Sequence, residues 1–283
     1  MSEIQVIRLD DALYPRALKD LKDPPKQIYV KGNLSLLNRP MVSIVGTRDC
    51  TRYGLMIAKD IAAQCVTAGF VVVSGLAEGI DTAAHQGGKE ATIAVLGNGI
   101  DVYYPAINKD LQDEISLQGL LISEYPPTLH GGKTTFPQRN RIVAALAQAV
   151  IAVEADLRSG TLITVKMANA LNRPVYAVPG NINCYASQGT NDLIAKGQAK
   201  MITSVSDLIT ALTGTIATKV AVKQKQITME QQNILNILKS DEVHFDDIVM
   251  ESGLTVPQLS TLLTNMEMIG LIEKLPGNYF VTK

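Results

Sequence analysis

Between Pro40 and about Leu212 the chain repeats one pattern, a short unbroken apolar run followed by a longer stretch of helical period. The runs are MVSIV (41–45), FVVVS (70–74), TIAVL (92–96), LLIS (120–123), AVIAV (149–153) and PVYAV (174–178). Runs this short, with no polar residue at alternate positions, predict strands covered on both faces, as in a parallel sheet. Helical stretches such as Tyr53–Ala68 and Asn140–Ala147 lie between most of them. Strand–helix alternation of this kind predicts a doubly wound α/β sheet, with ligands bound beyond the carboxyl ends of its strands.

The flanks read differently. Residues 1–39 form an N-terminal segment expected to pack on the main domain, with a turn at Asp23-Pro24-Pro25, a short strand over Gln27–Lys31 and a second turn at Gly32-Asn33. Residues 40–212 make the main domain and residues 213–226, which include Lys219, Lys223 and Lys225, a linker. Residues 227–283 hold three stretches of helical period, MEQQNILNILK, HFDDIVMESG and TVPQLSTLLTNMEMIGL, and then IEKLPGNYFVT, a hairpin around Pro276-Gly277-Asn278. Three helices followed by a hairpin predict a small winged-helix domain.

Composition supports this picture and narrows the setting. With 46% hydrophobic and 19% charged residues, the 283-residue chain has ample material for a core, which argues against disorder. No apolar run reaches the roughly 18 residues of a membrane helix, so no membrane span is expected. The start, MSEIQVIRLDDALYP, lacks a signal peptide's apolar stretch, and Cys50, Cys65 and Cys184 are too far apart for a metal-ligand cluster. A reducing, cytoplasmic setting follows. The net charge of −1 runs against a partner of polyanions, but it hides an asymmetry. Lys133 to Arg173 carries six basic residues and two acids, a net +4, whereas Gln226 to Lys283 carries three lysines and eight acids, a net −5. Local charge decides which face meets a polyanion.

Candidate chemistry gathers in the loops after the strands. Gly46-Thr47-Arg48 follows the first strand, where backbone N–H groups can cradle a phosphate and Arg48 can fork onto it; equally, Arg48 can pair with a nearby carboxylate. Asp81 and His85 stand four apart on one helix and read as an acid–base pair, or as a helix-start carboxylate holding a structural histidine; no nucleophile or metal partner accompanies them, which favours the second reading. The segment from Lys133 to Arg141 joins Lys133, Arg139 and Arg141 to Phe136 and Asn140 at a helix start. Cations attract phosphates and a phenyl face can take an unpaired base, although Phe136 can also anchor the loop to the core. Ser159-Gly160-Thr161 precedes another helix, as an anion site or as ordinary capping.

In order along the chain these pieces resemble the DNA-processing protein A (DprA/Smf) family. The resemblance rests on Gly46-Thr47-Arg48, SGLAEGIDTAAH (74–85), Tyr104-Pro105 with Asn108, FPQRNRIVA (136–144), EADLRSGTLIT (154–164), VPG (178–180), and ahead of these Tyr14-Pro15 and YVKGN (29–33). It spans about Tyr14 to Leu212. It implies an extended Rossmann-like, mainly parallel sheet that binds single-stranded DNA, loads the RecA recombinase in natural transformation and forms a homodimer through the same domain, with no cofactor. Carried over by motif, Arg48, Lys133, Phe136 and Arg139-Asn140-Arg141 are the DNA-contacting set. Two departures stand out. Many members begin with a helical SAM-like domain, for which the stretch before Tyr14 is too short, and Gln198 replaces an expected alanine.

A second resemblance is more distant, to nucleotide-binding phosphoribohydrolases of the lysine-decarboxylase-like group. These carry a catalytic glutamate where this chain has Thr164. Hydrolysis at an anomeric carbon wants a carboxylate, so the pocket is expected to hold phosphate without catalysing a reaction.

The charge pattern yields a prediction for the C-terminal unit. Its expected last helix, Val256–Ile269, has no Lys or Arg and one charge, Glu267. A winged helix normally puts that helix into the major groove, where an acidic unit is repelled by the phosphates. Truncation at about Ala221 is expected to keep most single-strand affinity. The isolated 227–283 fragment should bind neither single nor double strands at physiological salt; micromolar duplex binding by the fragment in a titration would refute the charge argument.

Overall fold

The apolar runs form strands because each supplies side chains to two cores at once. Along β3 (Met41–Val45), Met41 and Val45 enter one core while Val42 and Ile44 enter the other. The same alternation splits Val71 and Val73 from Val72 in β4 (Val71–Ser74), and Val150 and Ala152 from Ala149 and Ile151 in β7 (Ala149–Ala152). This period of two buries every residue of these strands, which is why the sequence shows no polar alternation. The computed structural model describes residues 3–214, 228–238, 242–268 and 271–282.

Among the described residues the main unit is built on a nine-stranded sheet. Its parallel centre comprises β3, β4, β5 (Thr92–Leu96), β6 (Leu120–Ser123), β7 and β8 (Val175–Ala177), with β9 (Lys200–Met201) at one edge. The other edge is antiparallel: β1 (Gln5–Arg8) pairs with β2 (Gln27–Gly32), and β2 pairs with β6. The order is β1-β2-β6-β5-β4-β3-β7-β8-β9. Chain order thus runs outward from β3 to β6 and restarts on the other side of β3 with β7. That reversal leaves a crevice at the carboxyl ends of β3 and β7.

The helices between the strands are α1 (Arg52–Thr67), α2 (Ile80–Gly88), α3 (Lys109–Gln118), α4 (Thr135–Leu146), α5 (Thr161–Ala170), α6 (Gln188–Ala195) and α7 (Val205–Thr213). The six predicted strands of the main domain all occur, to within a residue or two at their ends. Sequence reading missed β1, of which only Ile7 is buried, and the two-residue β9. The expected linker, 213–226, lies outside the described residues except for Thr213 and Gly214.

The chain divides into two compact units, Met1–Ala217 and Thr218–Lys283. The second contains α8 (Met229–Leu238), β10 (Val243–His244), α9 (Phe245–Ser252), α10 (Val256–Met268), β11 (Ile272–Leu275) and β12 (Tyr279–Thr282), with its strands in the order β10-β12-β11. Ile234, Ile248, Leu259, Leu263 and Phe280 fill its core. The hairpin turns through Gly277 and Asn278, both left-handed at φ +80 and +65, the region that Gly and Asn tolerate best.

One buried acid binds the two loops of the crevice together. Glu154, directly after β7, is 2% exposed. Its carbonyl accepts the Thr47 N–H at 2.7 Å, and its carboxylate accepts the N–H and hydroxyl of Thr51 at 2.8 and 2.5 Å. Thr51 caps α1 in turn by accepting the Gly54 N–H. A carboxylate at a helix start is also favoured by the macrodipole. Glu154→Ala is expected to lower stability by about 2–3 kcal/mol by stripping charged hydrogen bonds from buried donors. A urea midpoint unchanged from that of the parent would refute this role.

Candidate nucleic-acid interface

At the switch point lies an open cleft of about 340 Å³. One wall is the loop after β3, with Gly46, Thr47 and Arg48; the other is Ser159, Gly160 and Thr161 leading into α5. The start of α4 contributes Phe136, Arg139 and Asn140. Of the eleven site residues proposed from sequence, nine therefore share one cleft. Lys133 and Arg141 do not line it.

The floor depends on the turn after β4, which is held in an unusual shape. Leu76 is buried yet left-handed, at φ +56. Such a backbone persists only when its surroundings enforce it. The Asp81 carboxylate accepts the N–H groups of Gly75 and Ala77 at 3.1 and 3.4 Å. His85 Nε2 accepts the Leu76 N–H at 3.3 Å, and the Asn108 amide donates to the carbonyls of Leu76 and Ala77. With Nε2 accepting, His85 Nδ1 carries the proton and donates to Thr92 Oγ1, which donates to the Val72 carbonyl. Burial lowers the His85 pKa to about 3, with the charge of Arg139 adding to the effect, so the ring is neutral. Asp81 and His85 are thus structural, as the sequence favoured, but each holds the turn directly rather than holding the other.

Arg139 lies under this turn, 5% exposed. Its guanidinium donates to the carbonyls of Gly75 and Val95 and, through Nε, to Asn140 Oδ1 at 3.1 Å. A Cβ on Gly75 would run into the guanidinium, so a larger residue there would have to displace Arg139. Burial pushes the Asp81 carboxyl up, with the Arg139 charge opposing. The motif placed Arg139 and Arg141 on DNA, whereas the structure uses both internally. Arg141 Nη2 donates to both carboxylate oxygens of Glu124 at 2.5 and 2.7 Å, Nη1 is buried without a hydrogen-bond partner, and the side chain is only 11% exposed, so this guanidinium faces Glu124 and the interior more than solvent.

Arg48 behaves in the opposite way. It is exposed, and none of the ion pairs among the described residues includes it, so the carboxylate-pairing alternative does not hold. Lys133 is likewise exposed, on the loop before α4. Phe136 serves as an anchor on one side, packed against the backbone at Gly97 and Gly131, while its ring stacks on Tyr104 with centroids 4.8 Å apart. Tyr104 is 45% exposed and joins Arg48 and Phe136 around a small pocket beside the cleft. Its aromatic role was missed, although Tyr104-Pro105 was visible as a motif; only the fold stacks it on a ring 32 positions away. Ser159 Oγ accepts the Thr161 N–H at 3.2 Å in the turn ahead of α5, whose N-cap residue is Gly160. The cleft is not a basic bowl, because Asp49, Asp81 and Asp156 line it beside its two arginines. An anion here would depend on Arg48 more than on net charge.

Fold and cleft together define a Rossmann-like α/β protein joined to a winged helix. Residues 5–213 match the DNA recombination-mediator protein A family and residues 222–278 the DprA winged helix domain. The chain is 46% identical over 206 residues to DNA processing protein DprA of Streptococcus pneumoniae, covering 71% of each, and 33% identical to Protein Smf of Synechocystis over 96% of this chain and 79% of that one. Among solved structures it is similar to the Streptococcus pneumoniae protein (TM-score 0.70, 42% identity, 73% of this chain and 74% of the other). It is also similar to DNA processing protein A of Helicobacter pylori, whose structure describes a single-stranded DNA binding mode (TM-score 0.69, 36% identity, 76% and 99%). The chain belongs to the DNA recombination-mediator protein A family, and its role lies in DNA processing and recombination.

The neutral His85 gives a pH signature. Its folded pKa lies below the unfolded value, so its contribution is intact above about pH 6.5 and is lost as pH falls towards 3, by about 1.4 kcal/mol per pH unit inside that window. In His85→Gln, whose amide can still accept from Leu76, the fall in stability between pH 6 and 4 should be shallower by about one proton. Parallel profiles for parent and variant would remove His85 from the clamp.

Proposed function

We propose that this chain binds single-stranded DNA in the switch-point cleft, delivers it to the RecA recombinase, and does so as a cytoplasmic homodimer assembled through the Rossmann-like domain, without catalysis. The observation that carries this reading is the exposed, unpaired Arg48 beside the Tyr104–Phe136 stack at the mouth of a backbone-lined cleft. A phosphate suits the arginine, and an unpaired base suits the ring faces. Lys133 extends the cationic rim. The Helicobacter pylori relative, with its single-stranded DNA binding mode, supports the same assignment. Residues 40–212 are the DNA-binding domain in this reading, 1–39 a segment packed on it, and 213–226 the linker to the winged helix of 227–283. No helix among the described residues is long and apolar enough to cross a membrane.

Two placements support the non-catalytic reading over a phosphoribohydrolase. Thr164 lines the cleft where those enzymes carry their glutamate, and Glu154 is committed to the start of α1.

Binding of fluorescent oligo-dT and of duplex of equal length across a salt series tests the proposal. Single strands should win at every salt concentration, with a slope of roughly −0.7 per phosphate neutralised. Arg48→Ala should weaken oligo-dT binding about tenfold and flatten the slope while leaving thermal stability alone; Arg139→Ala should destabilise the fold. Equal affinity for duplex and single strand would sink the proposal.

A further inference from the structure

A second cavity of the main unit is more cationic than the switch-point cleft. At the opposite end of the sheet, where β3, β7 and β8 begin, is a second pocket of about 270 Å³. Arg16, Arg39 and Arg173 line it together with Gln148, over an apolar floor that includes Met41 and Leu146. They come from separate places in the chain: the short 3-10 helix Arg16–Asp20, the loop before β3, and the loop before β8. No carboxylate lines the pocket.

The partners these arginines have do not neutralise them. Arg173 pairs with Asp20 at 3.1 Å, but that carboxylate is 59% exposed, and Arg173 Nε is buried without a hydrogen-bond partner. Arg39 donates to the Gly69 carbonyl, and Arg16 has no ion pair among the described residues. The carbonyl end of α4, at Leu146 and Ala147, contributes about half a negative charge. With Asp20 it offsets about half of three guanidinium charges. Gathering the remainder around one concavity costs electrostatic energy unless an anion completes it.

We propose that this pocket is a second anion site, which takes a phosphate group through Arg16, Arg39 and Arg173. Planar guanidinium forks match tetrahedral oxyanions, and Gln148 adds an uncharged donor. The phosphate can belong to a small molecule or to a nucleic-acid backbone. The assignment is independent of the switch-point cleft, which lies beyond the other ends of the same strands.

Thermal melting and calorimetry of the full chain test it, with inorganic phosphate and pyrophosphate as probes against chloride at equal ionic strength. Phosphate should raise the melting midpoint by about 3 °C at ten times its dissociation constant and titrate with saturable heat. The gain should vanish in Arg16→Gln/Arg39→Gln, whose sites are exposed so that folding is preserved, and survive in Arg48→Ala. Oligo-dT added to the Arg48→Ala protein separates the sources: displacement of phosphate marks a backbone phosphate, and no displacement marks a small molecule. An equal rise in parent and double variant, which reports only general salt stabilisation, or the absence of saturable heat in the parent, would overturn the proposal.

Discussion

The buried guanidinium of Arg139 is the interaction on which the candidate site depends. A full charge at 5% exposure is tolerable only if its donors are used and a counter-charge is near. Here the carbonyls of Gly75 and Val95, the Asn140 amide oxygen and the charge of Asp81 meet those needs. Because these partners sit after β4, at the end of β5 and in α4, one side chain fixes three elements relative to one another. Asp81, His85 and Asn108 then lock the Leu76 turn from its other sides. What remains exposed in the cleft, with no ion pair among the described residues, is Arg48.

This arrangement changes how a basic segment should be read. Lys133 to Arg173 is strongly positive in sequence, but Arg139 and Arg141 spend their charge inside the protein, and Arg173 belongs to the opposite end of the sheet. The cleft itself combines two arginines with three aspartates. The cleft is thus defined by geometry, an exposed arginine beside a stacked aromatic pair, more than by a field of charge. The acidic C-terminal unit shows the opposite pattern, since its α10 carries no lysine or arginine.

Much of this was determined by sequence alone. Unbroken apolar runs fixed the strands, because a strand buried on both faces leaves no polar positions, and the spacing of helical stretches fixed the parallel topology. The loops bearing the site followed from that topology, since switch-point loops in doubly wound sheets converge. Tertiary structure alone decided which side chains face solvent. Arg48, Arg139 and Arg141 are the same residue type in similar motifs, yet one is exposed without an ion pair among the described residues, one is a buried strut and one is paired with Glu124. Their fates depend on carboxylates and carbonyls 17 to 64 positions away, brought near only by folding. The Tyr104–Phe136 stack and the three-arginine pocket share that origin: local sequence sets backbone shape and burial pattern, but long-range approach decides where each charge and ring is spent.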